Sequence, residues 1–332
     1  MSEERLKSIV ISGFGVKLRK EGQLIGVTDK EGEKRFISPY RLEQVIITGE
    51  VSITSGALRL LIEKGVDVVL IGKYPPLFAR LVRSDQLCSL WREQITMSET
   101  KKLEIGKEIL ATALYNKGRI LQSIEKNRND VEFKEEFRLL KEARDKMEYA
   151  SSLAELMGLE GSGSRVYFSA LRMIIPAELG FNGRKKRPPK DPINALLSYG
   201  YTILHHRVEN ALMLAGLTPF VGIIHSTYRN RPALSFDLTE EFRQVIVDRV
   251  VLTEMIRSKL KKTEFESDEL SGGCFMTESR KKAFLHALYS RFEDRHTYGD
   301  EQIPFGEIIF MQAKKLAKAV TGEERYTGFK YR

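Results

Sequence analysis

Residues 66–86 read VDVVLIGKYPPLFARLVRSDQ, and the character of the chain changes within this stretch. Before it lie short β-branched and aliphatic runs, such as residues 9–11 and 45–47, which are separated by glycine-containing turns. That pattern is typical of strands. After it, residues 87–159 contain no proline, and apolar residues recur three and four positions apart. This spacing indicates helices, so the sequence predicts a β region followed by an α region.

The N-terminal part favours a β-sandwich. Many short strands with tight turns fit a sheet sandwich better than a Rossmann unit, in which strands alternate with longer helices. One short helix is expected at residues 55–64, with Ser55 at its head and Gly65 behind it. The predicted fold is multidomain α and β, with a β-sandwich at residues 1–80, a linker at 81–90 and an all-α domain at 91–332.

The helical part has an apolar stripe that predicts a buried helix face. The stripe comprises Leu110, Leu114, Ile120, Leu121 and Ile124. Further helices are predicted at residues 164–175, 193–215, 238–260, 277–292 and 305–320. Ordinary helix packing accounts for the apolar stripe.

Composition narrows the class of protein. The 332 residues are 42% hydrophobic, which excludes wholesale disorder, and the net charge of +9 favours a polyanionic partner. Two distant cysteines, Cys88 and Cys274, exclude a zinc finger and make a disulfide scaffold unexpected. An acidic N-terminus and an interrupted apolar run at residues 211–224 predict a cytoplasmic protein without a signal peptide or membrane association.

Positive charge clusters in the helical part. Residues 184–190 read RKKRPPK, and shorter basic runs occur at 259–262 and 280–282. A basic run can simply be a solvated face. However, Pro188 and Pro189 hold the first run extended, so that its charges can follow a phosphate backbone. Nucleic acid is therefore expected on the helical domain.

Candidate chemistry centres on His225. The sequence has no P-loop, no dinucleotide-binding glycine pattern and no GxSxG elbow. His225 is followed by Asp237 and Glu240, and such a nitrogen and oxygen donor set suits Mn²⁺ or Mg²⁺. The alternative is structural: a helix-capping Asp237, a solvated Glu240 and a hydrogen-bonded, buried His225. Spacing alone does not decide between the two.

Glu160 is a candidate for a third ligand. It lies in the glycine-rich stretch 157–163, which predicts a break before the helix that carries Arg165 and Tyr167. The alternative is a glutamate that interacts favourably with a helix N-terminus. No periodicity places Glu160 near His225.

Four segments resemble one known family, the CRISPR adaptation endonuclease–integrases. They are residues 159–168 (LEGSGSRVYF), 187–201 (RPPKDPINALLSYGY), 222–225 (GIIH) and 231–243 (RPALSFDLTEEFR). The resemblance extends over nearly the whole chain through the β-then-α layout. It implies a role in antiviral defence, in which a metal-dependent nuclease inserts short foreign DNA fragments as spacers into a CRISPR array.

The resemblance also implies site residues and partners. Glu160, His225 and Glu240 would hold a catalytic Mg²⁺ or Mn²⁺, with Asp237 as a possible additional ligand. The β-sandwich would form a homodimer, and a small ferredoxin-like subunit would bridge two dimers on double-stranded DNA. The residues expected near DNA are Arg165, Tyr167, Arg184, Lys185, Lys186, Arg187 and Arg243.

The implied chemistry is attack by a 3′-OH on a phosphodiester, or by water in a nuclease reaction, with the metal as Lewis acid and template. No covalent protein intermediate is needed, which agrees with the lack of a nucleophile motif. Two alternatives remain: a non-catalytic DNA-binding assembly subunit, and a repair nuclease that acts on branched DNA.

Overall fold

The chain folds into two compact units, Met1–Arg92 and Glu93–Arg332. The first unit is rich in strands and the second is largely helical, so the predicted order of β and α is confirmed. The computed structural model describes residues 6–71, 78–81, 84–128, 130–185, 187–226, 231–258, 260–268 and 272–332.

The described part of the first unit includes two four-stranded sheets and the helix α1 (Ser55–Glu63). Its strands are β1 (Leu6–Ile11), β2 (Lys17–Glu21), β3 (Leu24–Thr28), β4 (Lys34–Ile37), β5 (Leu42–Ile47), β6 (Ser52–Ile53), β7 (Asp67–Ile71) and β8 (Phe78–Leu81). One sheet has the order β1-β5-β7-β8, and the other has the order β4-β3-β2-β6. Strand β7, from the stretch that opened the sequence analysis, is parallel to β5 and antiparallel to β8.

One apolar core serves this unit. Leu18 and Ile25 reach it from one sheet, Val45 and Val68 from the other, and Leu61 from α1. The helix begins at Ser55 as predicted, and its cap is the preceding residue, Thr54, whose hydroxyl accepts a hydrogen bond from the Ala57 N–H at 3.3 Å. Aliphatic side chains from both sheets and from α1 thus share one buried cluster.

The second unit is built mainly of helices. They are α2 (Ser84–Ile95), which begins in the first unit, α3 (Glu99–Lys126), α4 (Lys134–Met147), α5 (Leu153–Ile174), α6 (Pro192–Leu214), α7 (Ala233–Thr239), α8 (Arg249–Ser258), α9 (Glu278–Glu293) and α10 (Phe305–Thr321). The predicted stripe on α3 is confirmed as a buried face. Among the described residues, no helix has the length and apolar character needed to cross a membrane.

Helix α5 runs through the glycine-rich stretch where the sequence predicts a break. Gly163 explains the difference, since a Cβ there would lie 2.4 Å from Leu114 Cδ2 on α3. The glycine thus permits close packing of two helices, and the Ser152 hydroxyl caps α5 a full turn and more before Glu160. The prediction of a helix start after Glu160 was wrong, and Glu160 lies within the helix.

Two hairpins correct the prediction of an all-α second unit. Strands β9 (Phe265–Asp268) and β10 (Gly273–Met276) form one, and β11 (Arg295–Tyr298) and β12 (Glu301–Pro304) form the other. The second has a two-residue turn in which Gly299 has φ +62°. A glycine in such a turn is a hairpin signal. The helix predicted at 238–260 is also divided, because a π-helical segment, Arg243–Asp248, lies between α7 and α8.

Candidate functional site

Three predicted ligands, distant in sequence, line one cavity of the helical unit. Glu160 comes from α5, His225 from the loop before α7, and Glu240 from the turn directly after α7. The cavity has a volume of about 540 Å³. Predicted DNA-binding residues Arg165, Arg184 and Arg243 also line it. The packing of α3, α5 and α7 brings these residues together. Helical periodicity and local spacing in the sequence do not predict this proximity.

Glu160 is held as a carboxylate by a buried lysine. Its Oε1 accepts hydrogen bonds from Lys117 Nζ at 3.0 Å and from the Ser164 hydroxyl at 2.6 Å. Burial alone would raise the pKa of Glu160, but the Lys117 ammonium and these hydrogen bonds lower it to about 2. Glu160 is therefore negatively charged at neutral pH, as a metal ligand must be.

Sequence reasoning missed Lys117, although a signal for it was present. Lys117 lies on α3 three residues after Leu114 and four before Leu121, and its side chain is only 3% exposed. A lysine on an otherwise apolar helix face requires a charged partner in the core. That partner is Glu160, so the interrupted stripe predicts a buried carboxylate.

His225 is oriented by a fully buried aspartate. Asp237 Oδ1 lies 2.6 Å from His225 Nδ1 and also accepts the His225 backbone N–H at 3.0 Å. Its Oδ2 accepts the N–H groups of Ile223 and Ile224 at 2.7 and 3.0 Å. A carboxylate acceptor at Nδ1 places the ring proton there, so Nε2 retains its lone pair.

This geometry distinguishes the tasks of His225 and Asp237. The His225 side chain is 38% exposed and lines the cavity, whereas the Asp237 side chain is 0% exposed. The hydrogen bond that His225 Nδ1 donates to Asp237 raises the pKa of His225 against the opposing effect of burial. Asp237, predicted as an additional ligand, holds the loop 223–225 and the imidazole through four hydrogen bonds. It acts on the cavity through His225.

Glu240 is paired with Arg243, the first residue of the π-helical segment. Arg243 Nη1 lies 2.6 Å from Glu240 Oε1, and the guanidinium stacks over the Tyr201 ring at 5.2 Å. Burial opposes the charge of Arg243, but Glu240, Tyr201 and Glu160 raise its pKa. Arg243 therefore supplies a permanent positive charge between the cavity carboxylates.

Tyr167 does not have the exposure that a DNA contact requires. It is 0% exposed, and its hydroxyl donates to Asp248 Oδ2 at 2.9 Å. Tyr201 donates to Oδ1 of the same aspartate at 2.5 Å. Burial raises the pKa of Asp248 to about 6 despite these two hydrogen bonds. The predicted DNA-binding role of Tyr167 is corrected to a structural one beneath the cavity.

Of the predicted basic segment, Arg184 lines the cavity. Arg184 donates to Asn194 Oδ1 at 2.9 Å and to the Ser198 hydroxyl at 3.1 Å, which ties it to the start of α6. Lys185 and Arg187 are exposed, and Lys186 lies outside the described residues. Exposed Arg165 and Arg172 line the cavity from α5, and Arg172 was not predicted.

The donor set fits a divalent cation. Glu160, Glu240 and Nε2 of His225 offer two carboxylates and one imidazole, a set that Mg²⁺ and Mn²⁺ accept. Here the two carboxylates are paired with Lys117 and Arg243. The ligand atoms of Glu160, Glu240 and His225 do not all lie within 4.8 Å of one another. Within the described part of the chain, only His205, His206 and Glu209 do so.

Comparisons with known proteins agree on one family. The family model described as CRISPR associated protein Cas1 matches residues 9–290 of this chain. CRISPR-associated endonuclease Cas1 1 of Methanospirillum hungatei JF-1 is 35% identical over 335 residues, covering 98% of this chain and 100% of that protein.

Solved structures share the fold. A casposase bound to an integration product has a TM-score of 0.84 at 20% identity, covering 97% of this chain and 98% of the casposase chain. A chain of a partial Cas6-RT-Cas1–Cas2 complex has a TM-score of 0.76 at 24% identity, with the same coverage of 97% and 98%. The likeness therefore includes both units.

Proposed function

The chain belongs to the Cas1 family of CRISPR-associated proteins, and from this we propose that it is a metal-dependent DNA endonuclease and integrase that inserts short foreign DNA fragments into a CRISPR array. The observation that carries the proposal is the convergence of Glu160, His225 and Glu240 on one arginine-lined cavity. The names of the relatives support it: one is an endonuclease, and one solved neighbour is a casposase bound to an integration product.

Glu160, His225 and Glu240 would hold the Mg²⁺ or Mn²⁺ ion. When bound, that ion supplies Lewis-acid stabilisation of charge on a phosphoryl oxygen. Lys117 keeps Glu160 ionised, and Asp237 keeps the lone pair of His225 Nε2 directed outward. The chain thus prepares two ligands before any ion arrives.

Arg243 has a second task in this proposal. Its guanidinium lines the cavity beside Glu240, so it can stabilise the negative charge that develops on a phosphodiester bound in the cavity. The attacking group would be the 3′-OH of the incoming DNA, and the leaving group would be the 3′ oxygen of the cleaved strand. Water replaces the 3′-OH in endonuclease cleavage. Neither reaction requires a covalent intermediate with the protein.

The DNA would approach along exposed arginines and lysines. Arg165 and Arg172 on α5 lie at the cavity, and Lys185 and Arg187 continue the positive charge beyond Arg184. Such contacts bind phosphates without reading sequence, so affinity for DNA should fall steeply with salt. Lys186 is included by its position in the sequence.

Assembly remains part of the proposal. Residues 1–80 would form a β-sandwich that dimerises, residues 81–90 would link the units, and residues 91–332 would carry catalysis. A small ferredoxin-like subunit would join two dimers in the cytoplasm. The solved neighbour from a partial Cas6-RT-Cas1–Cas2 complex supports the presence of a second subunit.

The decisive experiment is an integration assay on supercoiled DNA that carries a repeat, with Mn²⁺ or Mg²⁺ and with or without the small subunit. Glu160→Gln and His225→Ala should each lower strand joining by about 100-fold or more, since each removes a ligand. Glu178→Gln and His286→Ala, at exposed positions, are matched controls. Folded Glu160 and His225 variants with wild-type activity would refute the site.

The same assay separates the alternatives. Salt-sensitive DNA binding without metal-stimulated turnover would indicate a non-catalytic assembly subunit. Faster cleavage of a four-way junction than joining at a repeat would indicate a branched-DNA repair nuclease.

A further inference from the structure

A second group of metal-ligating side chains lies on α6, apart from the catalytic cavity. His205, His206 and Glu209 each offer one ligand atom, and these atoms all lie within 4.8 Å of one another. His206 Nδ1 and Glu209 Oε2 are already 3.5 Å apart. None of the three residues lines the cavity that contains Glu160, His225 and Glu240.

We propose that His205, His206 and Glu209 form a second metal site, which binds Zn²⁺ or a similar transition-metal ion. Two imidazoles and one carboxylate are a donor set typical of zinc, whereas Mg²⁺ prefers oxygen ligands. The exposed His206 gives an ion access from solvent, and the half-buried His205 and Glu209 close the inner side. A fourth position remains for water or another ligand.

His205 provides independent support for this assignment. Its Nε2 is buried and has no hydrogen-bond partner among the described residues, so the ring has an unsatisfied polar atom. A buried polar atom without a partner is a place where an ion is expected, and an imidazole nitrogen is a common metal ligand.

The ring of His205 is held in place on its other contacts. It packs on Phe236 with ring centroids 4.1 Å apart, and Phe236 lies 6.0 Å from the ring of His225. A rigid ring lowers the entropy that is lost when a metal binds. The α6 site is therefore close to the catalytic histidine but uses none of the same ligands.

The test is metal binding, which does not depend on DNA or on the proposed function. Chelator-treated full-length protein is titrated with Zn²⁺ against a chromophoric chelator, and with Co²⁺ while visible absorption reports the coordination geometry. The double variant His206→Ala, Glu209→Gln should bind one ion fewer than wild type, or bind it at least about 10- to 100-fold more weakly. Both substitutions lie at positions that are not fully buried, so circular dichroism should show an unchanged fold.

Two controls assign the lost ion. His286→Ala removes an exposed histidine on α9 and should leave Zn²⁺ binding unchanged. His225→Ala weakens the catalytic site and should retain the ion at α6. The proposal is overturned if the double variant binds Zn²⁺ like wild type, if His286→Ala weakens binding equally, or if His225→Ala abolishes all Zn²⁺ binding.

Discussion

In two elements of the second unit, neighbouring residues face two different regions, the cavity and the C-terminal segment. On the turn after α7, Glu240 lies in the cavity and Glu241 lies against the C-terminal segment; on α3, Lys117 lies at the cavity and Asn116 lies against that same segment. We call Glu160, His225, Glu240 and Arg243 the cavity face. Glu241, Asn116, Gln312, Tyr326 and Phe329 form the C-terminal clasp.

The two regions hold carboxylates by different means. On the cavity face, Lys117 pairs with Glu160 and Arg243 with Glu240. In the clasp, the donors to Glu241 among the described residues are neutral: Tyr326 OH at 2.6 Å, Gln312 Nε2 at 3.1 Å and Phe329 N at 2.9 Å. Burial raises the pKa of Glu241 to about 7, although these hydrogen bonds oppose the rise.

The difference shows how one turn serves both chemistry and folding. On the cavity face, the charged partner Lys117 keeps Glu160 ionised, which metal binding requires. Neutral donors satisfy Glu241 without a second buried charge, and so attach the C-terminal segment to the back of the turn. Asn116 completes this attachment by donating to the carbonyls of Glu241 and Phe329 at 2.8 and 2.9 Å. The clasp therefore holds Glu240 in place from behind.

The largest expected effect comes from Glu241→Ala, which breaks the clasp. Three donors lose their acceptor in a dry core, so we expect the free energy of unfolding to fall by about 4 kcal/mol. Urea unfolding followed by circular dichroism measures it. In contrast, Glu240→Gln keeps an oxygen for Arg243 and should cost at most about 1 kcal/mol, while DNA strand joining is lost. Similar stabilities for the two variants would erase the distinction between the regions.

Asp237→Asn tests the cavity face through the contact that orients it. The amide NH₂ cannot accept hydrogen bonds, so part of the four-bond set to residues 223–225 is lost. We expect about 2 kcal/mol lower stability and about 100-fold lower strand joining, because His225 loses its fixed tautomer. Asp145→Asn, at an exposed position on α4, is the control. If activity stays at the wild-type level while stability falls, Asp237 serves the loop alone.

Asp248 sharpens the comparison because it lies beneath the cavity but has neutral donors, as in the clasp. Burial raises its pKa in the folded protein from the ordinary value of 3.8 to about 6. The stability that it contributes is therefore fully present below about pH 4 and is lost as pH rises through 6. Compared with the Asp248→Asn variant, the wild-type protein should lose on the order of 2 kcal/mol of unfolding free energy as the pH rises across this window. Unfolding is measured in chelator; parallel curves would contradict the prediction.

Sequence reasoning found the features that depend on local pattern. The β-to-α order, the α3 stripe and the grouping of His225 with Asp237 follow from hydrophobic period and spacing. Glu160 is a candidate by its place in the glycine-rich stretch, but only the family resemblance joins it to His225, because its helix meets the others through packing at Gly163. Lys117 was available as a charge on an apolar face and was overlooked.

The rest depends on contacts between residues far apart in the chain. Tyr167 bonds to Asp248 81 positions later, and Glu241 bonds to Tyr326 85 positions later. Each pair is a tyrosine and a carboxylate without a distinctive local pattern. Only the assembled core shows that these side chains face inward, which is why Tyr167 was mistaken for a DNA contact.

Tyr326→Phe should have the smallest effect of these changes and separates one bond from the whole clasp. The ring stays and packs as before, but Glu241 Oε1 loses its 2.6 Å donor. Because Gln312 and Phe329 still bind the other oxygen, we expect a loss of only about 1–2 kcal/mol and nearly unchanged strand joining. Tyr149→Phe removes an exposed hydroxyl and should change neither quantity. If Tyr326→Phe instead destabilises the protein as much as Glu241→Ala, a single hydrogen bond would account for the clasp, and the shared holding of Glu241 by three donors would be wrong.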